Sequence, residues 1–150
     1  MDHMPSEEMK PVFASTELKL HQDEYTITSL PLIEKERAFK LVKSLDPFSS
    51  ITLDPNEVSL IIRAEDWNLM KQNFTSYESD GPYRVITFDI VLDLNLIGYL
   101  SVVSSVLADA EVSIYAVSTY LRDHILVKAS DSEKAMVVLG GLIQKYKTTH

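Results

Sequence analysis

The apolar residues of this 150-residue chain change their spacing along the sequence, and a similar order of spacings occurs in each half. In the second half, alternating apolar residues over 86–92 predict a strand, and helical spacing over 97–110 predicts a helix. Two further strands are predicted at 112–119 and 124–129, and a closing helix at 135–146. The order β-α-β-β-α indicates an α+β fold that lacks one final strand.

The first half has the same order with an additional strand at its start. The predicted elements are strands at 12–20 and 25–30, a helix at 34–45, strands at 51–53 and 58–62, and a helix at 66–74. One half therefore has a strand too many and the other a strand too few. We expect the strand at 13–20 to cross over and complete the sheet of the second half, so that the two halves fold as one body.

Turn-forming residues suggest where the two units divide. Asp80-Gly81-Pro82 lies in a predicted loop at 76–82, where no periodic pattern continues. We therefore expect a flexible tail at 1–11, a first unit at 12–78 and a second unit at 79–150. In the closing helix, Ser130 and Glu133 have the spacing of a capping box. Gly140-Gly141 in the same helix suggests a close-packing site.

Composition excludes several classes of function. The chain has no cysteine and four glycines, which rules out disulfides and thiolate chemistry and leaves no glycine-rich phosphate loop. Its four histidines have no metal-ligand spacing. A net charge of −8 argues against nucleic acid and anionic membranes as partners. No secretory signal or membrane-spanning run is present, so we expect a cytoplasmic protein without cofactor, metal or catalytic residues.

One arrangement invites comparison with a hydrolase. Asp123-His124 follows Ser118 and Thr119 within a few residues. Neighbouring residues of a strand point to opposite faces, however, so Asp123 cannot readily orient His124 toward a serine. The sequence favours a surface histidine with satisfied hydrogen bonds, and we expect no enzyme activity.

Two short segments are the candidate binding elements. In 94–99 a strand gives way to a helix at Gly98, although glycine disfavours helix by about 1 kcal/mol relative to alanine. Either the backbone there approaches a ligand, whose carboxylate the free helix N–H groups would hold, or it packs tightly against the sheet. The predicted hairpin at 118–123 combines hydroxyl groups, an aromatic ring, a cation and an anion. Such a cluster is either a site or a solvated turn.

The combined order of these segments resembles the tandem ACT-domain family over about residues 16–143. In the second half the resemblance rests on Leu92-Asp93-Leu94, Leu96-Ile97-Gly98, the run from Leu107 to Ile114, Val117 to Tyr120, Asp123 to Val127 and Glu133-Lys134-Ala135. In the first half it rests on Tyr25 to Leu30 and Glu57 to Leu60. The pairing of 118–120 with 123–124 is most similar to CASTOR-type arginine sensors, which carry two such tandem pairs where this chain has one.

The resemblance implies ferredoxin-like βαββαβ units in tandem, with antiparallel sheets and helices on one face. It also implies a site for a free amino acid. The ligand's amino and carboxylate groups would meet the backbone at Leu96, Ile97 and Gly98, and its side chain would meet Ser118, Thr119, Tyr120 and Asp123. Asp123 suits a cationic side chain, whereas Arg122 beside it would favour a neutral or acidic ligand. The identity of the amino acid is therefore open.

The resulting hypothesis is a non-enzymatic amino-acid sensor that holds its ligand at an interface between ACT units. We expect a homodimer, because ACT units commonly pair side by side, and a regulatory protein partner. The alternatives are a ligand-free interaction or scaffold module, and a separate regulatory subunit of an amino-acid-metabolism enzyme such as an aspartate-kinase-like protein.

Overall fold

The computed structural model describes residues 5–147, which form five α-helices and seven β-strands. The helices are α1 (Lys10–Ser15), α2 (Lys35–Val42), α3 (Ala64–Met70), α4 (Tyr99–Asp109) and α5 (Ser132–Lys147). The strands are β1 (Glu17–Leu20), β2 (Tyr25–Pro31), β3 (Ser50–Leu53), β4 (Glu57–Arg63), β5 (Glu78–Asp89), β6 (Tyr115–Ser118) and β7 (Asp123–Lys128). These elements group into two compact units, residues 22–83 and residues 1–21 with 84–150.

The unit of residues 22–83 has the order βαββαβ. Its strands lie in the order β3-β4-β2-β5, and each neighbouring pair is antiparallel. Alternate residues of β2 and β4 point to one face, which packs on α2 and α3. That core contains Leu30, Val58, Leu60, Ile62, Ala38, Val42, Trp67 and Met70. One helical layer on an antiparallel sheet is the ferredoxin-like arrangement, which confirms the predicted fold class.

The second unit combines the C-terminal elements with the N-terminal strand. Its strand order is β1-β5-β7-β6, where β5 contributes residues 84–89. β1 pairs antiparallel with β5, from Glu17 opposite Asp89 to Leu20 opposite Ile86. The C-terminal elements supply three strands of this sheet, β5, β7 and β6. Residues 17–20 supply the fourth strand. The core of this unit joins α1, α4 and α5 through Phe13, Phe88, Val103, Leu107, Ile125 and Leu139.

The N-terminal segment differs from the predicted tail and strand. Residues 10–15 are helical, and the strand begins at Glu17 instead of near residue 12. Met9 and Phe13 are both buried, because their i, i+4 spacing brings them to one side of the helix. Pro11 fits the first turn, where its missing N–H has no intrahelical acceptor. The helix at 10–15 is therefore packed through Met9 and Phe13, and residues 1–4 lie outside the described residues.

The predicted loop at 76–82 also differs. Asp80-Gly81-Pro82 lies within β5, which continues unbroken from Glu78 to Asp89. Glycine is required at 81 because a side chain there would come within 3.0 Å of the Tyr25 carbonyl oxygen. The compact units therefore divide at 83/84, within a strand, where the sequence predicts a boundary at 78/79.

The closing helix is confirmed, but two details of its interpretation are not. It begins at Ser132, so Ser130 lies in the preceding 3₁₀ turn, and the Ser132 hydroxyl donates to the Ala129 carbonyl at 2.9 Å. A Cβ atom added at Gly140 or Gly141 would have no neighbour within 4 Å, so the close-packing interpretation is wrong. Within residues 5–147 no helix has the length and apolar character needed to cross a bilayer.

Candidate functional site

A cavity of about 370 Å³ lies in the C-terminal unit, between the start of α4 and the hairpin that joins β6 to β7. Two chain segments form its wall. The first contributes Leu92, Asp93, Leu94, Leu96 and residues 98–101, and the second contributes residues 118–123. The volume is within the range of small-molecule sites, roughly 300–1,000 Å³. The lining combines leucine side chains with two carboxylates, five hydroxyl-bearing residues and one guanidinium.

The first segment is shaped by local hydrogen bonds. The Asp93 carboxylate accepts the backbone N–H of Asn95 at 2.7 Å, and the Asp93 carbonyl accepts that of Leu96 at 3.0 Å. This turn leads to Gly98, whose φ of +94° is left-handed and whose carbonyl accepts the Val102 N–H at 3.1 Å. Glycine adopts this conformation without a steric penalty, so α4 can begin directly after it. The first residues of α4 line the cavity, and the first N–H groups of a helix have no acceptor within the helix.

The N-terminal helix supports the same turn from behind. The Met9 methyl group lies 3.1 Å from where a Cβ of residue 98 would be. The ring of Phe13 stacks on that of Tyr99 with centroids 4.5 Å apart, and the Thr16 and Tyr99 hydroxyls share a hydrogen bond of 2.8 Å. Burial raises the pKa of Tyr99 to about 12, so its hydroxyl stays protonated near neutral pH. Tyr99 is therefore a buried, hydrogen-bonded residue of the cavity wall.

The second segment is a hairpin closed by its own side chains. Ser118 lies opposite Asp123, and its hydroxyl donates to the Asp123 carboxylate at 2.7 Å. The Thr119 N–H donates to the Arg122 carbonyl at 2.9 Å. The Leu92 N–H donates to the Leu121 carbonyl at 2.8 Å, which fixes the hairpin beside the first segment. The two predicted binding segments therefore lie together around one cavity.

Arg122 is engaged by a residue outside the hairpin. Its Nε lies 2.8 Å from Oδ1 of Asp89, and Lys19 Nζ lies 2.9 Å from the other oxygen of the same carboxylate. The hydrogen bonds from Lys19 and then from Arg122 lower the pKa of Asp89, because they stabilise its charged form. The guanidinium is thus paired with Asp89, whereas the Asp123 carboxylate is hydrogen-bonded by a neutral hydroxyl.

Six of the seven residues predicted for the site line this cavity. They are Leu96, Gly98, Ser118, Thr119, Tyr120 and Asp123. Ile97 does not line it, and its side chain is 87% exposed. Sequence reasoning missed Asp93, although an acidic residue two positions before a backbone turn is a recognisable Asx signal. It also missed Tyr99 and Leu121, whose inward position follows from packing that no local pattern reveals.

His124 is buried, which corrects the prediction of a surface histidine. It is 8% exposed on β7, and its Nδ1 lies 2.8 Å from the Thr87 hydroxyl on the neighbouring β5. The same hydroxyl lies 2.7 Å from Nε2 of His21. One threonine thus bridges two imidazoles. Because its hydroxyl has a single proton to donate, at least one of the two rings donates its N–H to the threonine oxygen. Within residues 5–147 no three histidine or acidic side chains are grouped to hold a metal ion.

We expect the protein to lose stability as the pH falls below about 6.5. Burial, and then the charge of His21, lower the pKa of His124 below its usual value. The unfolded chain therefore binds a proton at this residue at higher pH than the folded chain does. The stabilisation is complete above the pKa that His124 has in the unfolded chain. It is lost as the pH falls from that value toward the lower pKa of His124 in the folded protein. Urea unfolding at about pH 7.5 and about pH 5.5 measures the difference.

His124→Gln is the informative variant for this dependence, since it keeps a hydrogen-bonding group without a titrating imidazole. Its unfolding free energy should change less across that interval than that of the parent protein. The contribution of Asp89 is lost only below about pH 4, because its folded pKa is lowered from that region. An equal pH dependence in both proteins would contradict the assignment to His124.

Gly98→Ala should destabilise the protein by about 1–2 kcal/mol, because alanine is strained at a positive φ. Gly140→Ala provides the matched control within α5. It introduces the same methyl group where nothing lies within 4 Å and helical φ is already adopted. That variant should gain about 0.4–1 kcal/mol. Thermal and urea unfolding of both variants would measure the opposite signs, and a stabilising effect at residue 98 would contradict the conformational argument.

Comparison with known proteins agrees with this fold. A sequence profile described as an ACT domain matches residues 78–140. The matched segment contains both walls of the cavity. No curated protein matches the chain.

Solved structures of similar fold extend over most of the chain and of their own length. A Vibrio cholerae protein of unknown function, described as a possible transport protein, is 20% identical with a TM-score of 0.73, covering 91% of this chain and 97% of that one. The aspartokinase alpha and beta subunits are 12% identical with a TM-score of 0.68, covering 86% and 98%. The regulatory subunit of aspartate kinase from Thermus thermophilus is 10% identical with a TM-score of 0.60, covering 85% and 97%. The fold is thus shared with regulatory subunits of aspartate kinase.

Proposed function

We propose that the cavity beside α4 binds a free amino acid and that the protein is a non-enzymatic regulatory sensor. The observation that carries this proposal is the pairing, across one cavity, of a helix N-terminus behind a left-handed glycine with the carboxylates of Asp93 and Asp123. A helix N-terminus favours a carboxylate, and an acidic pair favours an ammonium group. These are the charged groups that every free amino acid carries.

We infer further that the ligand has a cationic side chain. The guanidinium of Arg122 forms its ion pair with Asp89, whereas Asp123 is hydrogen-bonded by Ser118. Around the cavity, the three carboxylates of Asp89, Asp93 and Asp123 outnumber the two cations Lys19 and Arg122 by one, and this negative excess favours a ligand of net positive charge. The resemblance of the hairpin to CASTOR-type arginine sensors points the same way. Arginine and lysine are therefore the first candidates.

A thermal-shift panel of the twenty amino acids tests the sensor proposal. A ligand at about 100 times its dissociation constant should stabilise the folded protein by roughly 2.7 kcal/mol. Calorimetric titration of each compound that raises Tm then gives its Kd. A flat panel together with silent calorimetry would overturn the proposal.

A ligand-free interaction module is the second candidate, because large apolar side chains are exposed around the cavity mouth. Leu94, Ile97 and Tyr120 all project into solvent there. Apolar side chains grouped at a cavity mouth are typical of protein interfaces. A homodimer, a regulatory protein partner or a separate enzyme of aspartate-kinase type would each cover them. Light scattering at several concentrations, with and without arginine, distinguishes a ligand-controlled dimer from a monomeric module.

A further inference from the structure

A second, smaller cavity of about 230 Å³ lies in the unit of residues 22–83. It is formed by one side of α3, the start of β5 and Thr26 of β2. None of its lining residues belongs to the cavity beside α4, whose wall begins at Leu92. The two cavities are therefore separate sites on separate units.

The register of the sheet determines which side chains face this cavity. Thr26 and Thr28 lie on the same face of β2, the face that pairs with Leu60 and Ile62 and packs on α3. Ser79 lies directly opposite Thr28 and so shares that face. The register shifts between Tyr25 and Ile27, and such irregularities redirect side chains and are frequent beside functional sites.

Glycine at position 81 keeps this corner open. A Cβ atom there would lie 3.6 Å from the Thr26 hydroxyl oxygen and 3.0 Å from the Tyr25 carbonyl oxygen. The Thr26 hydroxyl therefore borders the space that a larger residue would occupy. Trp67 of α3 lines the same space, and its ring is held by stacking on Phe74 and by an edge contact with Tyr77.

The polar groups of the lining include several hydrogen-bond donors. Lys71 contributes an ammonium group, Asn68 an amide, and Thr26 and Ser79 contribute hydroxyls. Thr28 lies in the same row of side chains, is 1% exposed, and its hydroxyl has no hydrogen-bond partner among residues 5–147. Thr28 does not itself line the cavity, but its unsatisfied hydroxyl lies in the row of side chains that contains Thr26 and Ser79.

The one acidic residue of the lining is directed elsewhere. Asp80 lies between Ser79 and Gly81 on β5, and alternation along the strand turns its side chain to the opposite face. Its carboxylate accepts a hydrogen bond from the Tyr83 hydroxyl. That bond raises the pKa of Tyr83 to about 12, so the phenol remains the donor. The ammonium group of Lys71 therefore determines the sign of the charge that a ligand of this cavity carries.

We propose that the cavity bordered by Lys71, Asn68, Thr26 and Ser79 binds a small oxyanion of single charge, a carboxylate in the first instance. Lys71 pairs with the anion, and the hydroxyl and amide donors orient it. A volume below the roughly 300 Å³ of typical ligand sites favours a small ligand. A single cation matches a single negative charge, which favours a carboxylate over phosphate. This site is independent of the amino-acid cavity.

The chain contains one tryptophan, Trp67, so its fluorescence reports directly on this cavity. The intact protein is titrated with sodium acetate, sodium phosphate and sodium chloride at constant ionic strength. The indole N–H resonance of Trp67 is followed in parallel by NMR. We expect a saturable change with acetate and none with chloride. Equal responses to acetate and chloride, or no saturable change in either signal, would overturn the proposal.

Lys71→Gln and Lys40→Gln form a matched pair of variants. Both remove one lysine charge from the same unit, but Lys40 is exposed on α2 and lies outside the cavity. Acetate binding should weaken about tenfold in the first variant and stay unchanged in the second. Equal behaviour of the two variants would overturn the role of Lys71, and saturation by phosphate alone would overturn the carboxylate assignment. Asp123→Ala should leave the titration unchanged, which separates this result from the fate of the sensor proposal.

Discussion

Replacement of Phe13 by alanine is expected to lower the free energy of unfolding by about 3–5 kcal/mol. The ring is 1% exposed, stacks on Tyr99 and lies 6.5 Å from the ring of Tyr146. Its removal leaves a cavity where α1, α4 and α5 meet. Since domains of this size are stable by only about 5–15 kcal/mol, the loss is a large part of the total. Urea unfolding followed by circular dichroism measures it.

Phe39→Ala is the matched control for this substitution. Phe39 lies on α2 and is 43% exposed, so the same truncation removes far less buried surface. We expect a loss within about 1 kcal/mol. Equal effects at the two positions would mean that the N-terminal helix contributes little to the core of the C-terminal unit. A large loss at Phe13 alone would show that residues before β1 are part of that core.

The order of the elements is predictable because most of them bury one regular face. The helix around residues 97–110 shows an apolar period that matches its burial. The strands at 58–62 and 124–129 are instead short, nearly continuous apolar runs, and consecutive residues of each are buried. The short helix at 10–15 is different. It has too few turns for a period to emerge, and Val12, Phe13 and Thr16 are residues that favour strands. Its burial against Tyr99 depends on contacts distant in sequence, which local propensity does not contain.

Strand β5 illustrates the same limit for turn signals. Asp80-Gly81-Pro82 is composed of turn formers, yet the segment continues as a strand because it pairs with β2 through a shifted register. The absent side chain of Gly81 serves close approach to the Tyr25 carbonyl. The sequence alone does not distinguish a glycine required for a close backbone contact from a glycine required for a turn. Only the partner strand distinguishes them.

The candidate site was predictable in its parts and not in its electrostatics. The segments around Gly98 and 118–123 each carry a local signal, and the family resemblance supplied the expectation that they meet. The partner of Arg122 carries no such signal. Asp89 reaches it from β5, and Lys19 reaches the same carboxylate from β1, so the pairing depends on the strand order β1-β5-β7. That order determines whether Arg122 opposes or tolerates a cationic ligand.

Asp123→Asn should weaken the binding of arginine and lysine by about tenfold to a hundredfold, because it removes one charge without changing shape. The Ser118 hydroxyl, which donates to Oδ1 at 2.7 Å, can still donate to the amide oxygen of asparagine, so the hairpin should remain closed. Calorimetric titration of this variant and of the parent with arginine, lysine and norleucine separates the effect of the ligand's charge from that of its shape. Norleucine should bind the parent and the variant equally.

Asp109→Asn makes the same chemical change at the exposed far end of α4, outside the cavity lining. It alters the net charge of the protein identically, so any general attraction between an acidic protein and a cation changes equally in the two variants. A selective loss at Asp123 therefore reports a contact made inside the cavity. If both variants weaken arginine to the same extent, the attraction is a property of the −8 net charge. If neither does, the side chain of the ligand lies elsewhere, and the positive end of α4 alone holds the amino acid.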